Sequence, residues 1–92
     1  MPRFMVQAGP DEFFWWSTIV DAPVTYVMTA EEARADFLFE YGRRAEHDWP
    51  RVLERAKQHV LAEIVRGNRA GDKEEELTLE QILARVREKR GA

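Results

Sequence analysis

The chain has 92 residues, of which 45% are hydrophobic and 34% charged, with a net charge of −3 and no cysteine. That is enough chain for one domain, with the balance of a soluble globular protein rather than a disordered tail. The absence of thiols excludes a disulfide scaffold, a thiolate zinc site, an iron–sulfur cluster and a cysteine nucleophile.

Residues 1–28 predict an antiparallel β-meander. Arg3 to Gln7 is a short mixed run, stopped by Ala8-Gly9-Pro10-Asp11. Gly accepts positive φ and Pro fixes φ, so the pair marks a turn. Phe13 to Val20 follows, filled with aromatic and β-branched residues that suit a pleated surface. This uncharged run, like the one from Ala22 to Ala30, is far short of the ~20 residues that span a bilayer. Asp21-Ala22-Pro23 breaks it, and Val24 to Met28 is β-branched and aromatic again. Pro23 lacks a ladder donor and belongs in the turn or at the strand's first position. The start, Met-Pro-Arg-Phe, has no secretory pattern, so a cytoplasmic location is expected.

Residues 29–67 predict two helices. Thr29-Ala30-Glu31-Glu32 is a capping box, opening a helix from Ala30 to about Tyr41, with Gly42 as its stop. Asp48 is suited to capping a second helix, and Pro50 is tolerated in its first turn. Trp49, Val52, Leu53, Ala56, Val60, Leu61 and Ile64 form one apolar stripe, closed by Gly67-Asn68. Residues 68–77 are polar and acidic and read as a mobile loop. Thr78-Leu79-Glu80-Gln81 is a second capping box, and Leu79, Ile82, Leu83 and Val86 stripe a last helix over residues 78–90.

The acidic balance argues against a general nucleic-acid binder, which needs basic groups to replace phosphate counterions. Charge in the last segment is polarised: Asp72, Glu74, Glu75 and Glu76 come first, then Arg85, Arg87, Lys89 and Arg90. The helix dipole favours that order at ~0.3–1 kcal/mol per charge, without any ligand. Those four basic residues remain the alternative nucleic-acid contact, with stacking on Phe13 and Trp15.

Catalytic signals are absent. His47 and His59 are the only histidines. His59 and Glu63 lie four apart on the predicted helix, two ligands where a closed metal site needs about four. Ser17 is the only serine and sits in no nucleophile elbow. No glycine-rich phosphate loop occurs. The expectation is a protein that is not an enzyme and uses no metal and no cofactor.

The aromatic run is the unusual feature. Side chains alternate between the faces of a strand. Phe14, Trp16 and Val20 form one row, and Phe13, Trp15 and Ile19 the other, bracketed by Asp11 and Asp21, which prefer water. The first row is therefore assigned to the helix-covered face. The second is left outside, because each amphipathic helix has one stripe to bury. Exposed apolar clusters mark binding sites, so Phe13, Trp15 and Ile19 are the expected contacts for a partner or for a second copy of the chain.

The string Phe14-Trp15-Trp16-Ser17-Thr18-Ile19-Val20-Asp21-Ala22-Pro23-Val24-Thr25, then Met28-Thr29-Ala30-Glu31-Glu32-Ala33, resembles small orphan accessory proteins of actinobacteriophages, especially mycobacteriophages. Tyr41-Gly42 and Gly67-Asn68-Arg69-Ala70-Gly71 before an acidic section extend the likeness. The resemblance implies a phage accessory protein made in the host cytoplasm that binds a host protein and interferes with host physiology, sometimes toxically. It carries no catalytic residues over.

The expectation is a single α+β domain, a three-stranded antiparallel sheet followed by three helices in two layers. Its core should include Phe4, Val6, Phe14, Trp16, Val20, Phe37, Leu38, Leu53, Val60, Ile64, Ile82 and Leu83. Its function is non-enzymatic binding of a host protein, with a homo-oligomeric structural role and weak nucleic-acid binding as alternatives.

Overall fold

Consecutive bulky aromatics favour extended backbone, and strand β2 (Glu12–Ser17) is built on four of them. It pairs antiparallel with β1 (Arg3–Gly9), from Arg3 opposite Ser17 to Gln7 opposite Phe13, before the register shifts at Gly9. The computed structural model describes residues 3–88. Asp11 turns the hairpin at φ 54°, a left-handed value that its short polar side chain tolerates. Its carboxylate also accepts the Ala30 N–H at 2.7 Å, one of the unpaired donors that open the first helix.

Beyond Ser17 the chain leaves the sheet earlier than expected. The Ser17 hydroxyl accepts from the amides of Ile19 and Val20, which bends both into a turn. Val20 is therefore exposed rather than in the core. Strand β3 is only Ala22–Pro23 instead of Val24–Met28. Past it, Val24 donates to the Trp15 carbonyl, the Thr25 hydroxyl accepts the Trp15 N–H, and Met28 bridges Phe13. A side-chain oxygen at Thr25 replaces one rung of the ladder, so the segment follows β2 without pairing regularly.

Helix α1 spans Ala30–Tyr41, the predicted bounds, with both bonds of the Thr29 capping box formed. A 3-10 helix over Arg43–Asp48 leads into helix α2 (Trp49–Gln58). Asp48 makes no capping bond, because it already has helical backbone at the end of that 3-10 segment. Helix α4 (Leu79–Arg87) opens with the expected capping box of Thr78 and Gln81.

The predicted long second helix is broken. His59 is extended at φ −67° and ψ 135°, and a one-turn helix α3 (Leu61–Ile64) follows. The reason lies in what the two pieces cover. Ala56 and Trp49 of α2 pack with Met5, Phe13, Trp15, Ala33 and Phe37 on one face of the sheet. Leu61, Ile64 and Val65 pack with Val6, Phe14, Trp16, Val27, Ile82 and Val86 on the other. One straight stripe cannot serve opposite faces, so the chain kinks at His59–Val60, beside the edge strand β1, and Val60 is left exposed.

The α+β class and the three-stranded antiparallel sheet are as expected. The two-layer arrangement is corrected to helix–sheet–helix, with α3 added to the three longer helices. The loop at 68–77 is also anchored. Buried Asn68 donates to the Val65 and Leu77 carbonyls at 2.6 and 2.8 Å and accepts from the Ala70 and Leu77 amides. Arg69 ties this region to the β2–β3 turn through the Ile19 carbonyl and the Asp21 carboxylate, both at 3.2 Å.

Candidate functional site

The expected outer aromatic row is not a surface. Phe13 is 2% exposed and Trp15 1%, both under α1 and α2; of the three proposed contacts only Ile19, at 67%, faces water. The assignment fails because α1 and α2 cover the Trp15 face, while α4 and the α3 region cover the Trp16 face. Each helix has one stripe, but the stripes point at different sides of the sheet.

The basic residues of the last helix are also engaged. Arg85 donates to the Ala70 carbonyl at 2.5 Å. Arg87 makes a forked contact with Glu12 at 3.0 and 2.7 Å and reaches the Ala8 carbonyl at 3.3 Å. Both side chains thus bond to other parts of the fold, although Arg85 remains exposed and Arg87 partly so. Lys89 and Arg90 lie outside the described residues. The break at His59 removes the helical spacing that would join it to Glu63. Among the described residues no cluster of three or more His, Asp or Glu side chains could hold a metal ion.

What the structure does present is a cleft of about 450 Å³ where α1 and α2 meet the start of β1. Met5, Trp15, Phe37 and Val52 line it with apolar surface. Arg3, Arg55 and His59, with the ring of Phe4, make up the rest. Met5 and Trp15 are opposite partners in the β1–β2 ladder, so their side chains lie on one face. Arg3 is two residues before Met5 and shares that face. Its guanidinium carbon stands 4.5 Å from the centre of the Trp15 ring, a cation–π contact. Glu40 of α1 approaches the same guanidinium at 3.4 Å.

The floor is rigidly set. The Trp15 indole N–H donates to the Asp36 carboxylate at 2.6 Å, which fixes the ring's orientation. Phe37 packs its ring 5.0 Å from Tyr41 and 5.6 Å from Trp49. Such tilted ring pairs are a favourable packing geometry, and the cleft opens beside them.

Arg55 and His59 come from the end of α2. Val52, Arg55 and His59 follow the three- and four-residue steps that bring helical side chains to one face. The His59 ring packs on Phe4 at 4.9 Å between centroids. Among the described residues, no carboxylate lies within salt-bridge distance of Arg55. The cleft therefore joins an apolar floor to a rim whose charged groups are bases.

A smaller groove of about 220 Å³ lies between Pro23–Tyr26 and α4. Its one cation, Arg85, is already bound to Ala70. The first cleft is thus the stronger candidate. The spacing of Val52, Arg55 and His59 is the signal that could have found its helical half, although the expected sites did not include it. Its floor carried no such signal, because the Trp15 row had been turned towards solvent. No family model, curated protein or solved structure matches the chain.

Proposed function

We propose that this chain is a non-enzymatic interaction module, of the kind a phage makes in its host, and that it holds a host protein by taking part of it into the cleft beside Arg3 and Arg55. The observation that carries this reading is the join between an apolar floor and a basic rim. Burying apolar surface contributes ~25 cal/mol per Å², and Arg at the margin of an apolar pocket is a frequent element of interface hot spots. Acid–base catalysis would need two titrating groups in contrasting environments. The rim instead offers two guanidiniums, which stay charged, and one imidazole.

The test compares immobilised wild-type chain, Val52→Trp and Phe39→Ala in a mycobacterial lysate. Val52→Trp fills the cleft, and Phe39 is exposed on α1 away from it. A partner is expected on the wild type and Phe39→Ala and not on Val52→Trp, whose folding is checked by thermal melting. The same partner retained by a folded Val52→Trp overturns the proposal.

A further inference from the structure

The geometry points to one occupant for the cleft: the C-terminal residue of a partner chain, carrying a large apolar or aromatic side chain. This inference rests on the cleft being a docking site. The rim calls for an anion. Arg3, Arg55 and His59 lie along it; Arg3 already has Glu40 at 3.4 Å, whereas Arg55 has no carboxylate partner among the described residues. A guanidinium receives a carboxylate through two parallel N–H bonds, a match that an ammonium cannot make.

The floor calls for an apolar body directly beside that anion. The apolar lining open to a ligand is half-buried Val52, one helical turn before Arg55, and half-buried Phe4, next to Arg3 in the chain, while Trp15 lies sealed beneath the Arg3 guanidinium. Carboxylate and apolar group must therefore be close neighbours in the ligand. An internal Asp or Glu in an extended segment meets this poorly, because its adjacent residue projects to the opposite face. A C-terminal residue carries its carboxylate and its side chain on a single Cα. A free amino acid does so too, but its ammonium would sit before the same guanidiniums. At a chain end that nitrogen is a neutral amide. The volume, about 450 Å³, fits a terminal residue and the peptide before it rather than a long segment.

The experiment is calorimetric titration of the full chain with acetylated pentapeptides ending in Phe, Leu or Ala, each as free acid and as C-terminal amide. Phe- and Leu-ending acids are expected to bind about tenfold or more tightly than their amides and than the Ala-ending acid. Arg55→Gln alters an exposed side chain and is expected to abolish the acid-over-amide preference without moving Tm. Equal binding of acid and amide overturns the inference. So does tighter binding of an amidated peptide with an internal Asp beside Phe. 3-Phenylpropionate binding as tightly as the Phe-ending peptide also overturns it, making the cleft a site for small acids. Silence from every peptide overturns it as well; if Val52→Trp still loses its host partner, the docking proposal survives and only the chain-end assignment falls. Peptide binding together with a partner retained by Val52→Trp has the reverse meaning.

Discussion

The two faces of the sheet carry the same amount of aromatic surface from β2 but are finished differently. Beneath α4 and the α3 region, Phe14 and Trp16 meet mainly aliphatic side chains: Val6, Val27, Val65, Ile82 and Val86. Branched aliphatic groups fill the gaps around rings, and Asn68 closes the polar end of that layer through four hydrogen bonds. Beneath α1 and α2, Phe13 and Trp15 meet more rings, Phe37 and Trp49. The open space on this side lies beside Arg3 and Arg55. One side is finished for stability, and the other keeps a concavity with charge at its margin.

The largest effect should come from breaking the sealed side. Phe14→Ala removes a fully buried ring and is expected to lower unfolding free energy by about 3–5 kcal/mol in urea titration. Next is Asn68→Ala. It leaves the Leu77 amide and carbonyl and the Ala70 amide without that partner, for a loss of about 3 kcal/mol by the same titration. A smaller change, Trp15→Phe, sharpens the contrast on the open side. It deletes the donor to Asp36 and is expected to lose about 1–2 kcal/mol while loosening the cleft floor. Thr78→Ala should follow at about 1 kcal/mol, the value of one helix cap, read from the thermal midpoint. Smallest is Val52→Ala, a half-buried wall of an existing cleft, at under about 1 kcal/mol. A Val52→Ala loss equal to that of Phe14→Ala would show that the two faces are packed alike.

Local chemistry was readable in the sequence, and path was not. The capping boxes at Thr29 and Thr78 form as expected because each needs only four consecutive residues. The bounds of α1 follow from such signals, as does the β1–β2 turn at Pro10 and Asp11. Which face each helix covers depends instead on where the chain travels after Gln58. Val60 carries the apolar stripe forward without Gly or Pro to announce a break, so the kink beside β1 is set by the sheet's uncovered face, not by a local residue preference. That single event decides which face Leu61, Ile64 and Val65 cover, while Trp15 is already sealed by α1 and α2 before it. It also explains why Val60, expected in the core, is exposed. Asn68 read as the end of a helix, and its role as a hub becomes visible only when Val65 and Leu77 are brought to it. The cleft suffered the same way: Arg55 and His59 share a predicted helix face, but nothing near them in sequence points to Arg3 and Trp15.

The Arg87–Glu12 fork joins the last helix to the first hairpin, so the chain fastens onto its own beginning. Cutting the backbone anywhere in residues 71–76 would leave that fragment held by non-covalent contacts alone, among them this fork and the Val27 N–H to Val86 carbonyl bond. Once it drifted away, the tryptophan at 16 and the phenylalanine at 14 would meet water, and neighbouring molecules would clump through them. A cut in this stretch is thus expected to unseal one whole face of the sheet rather than merely shorten the chain.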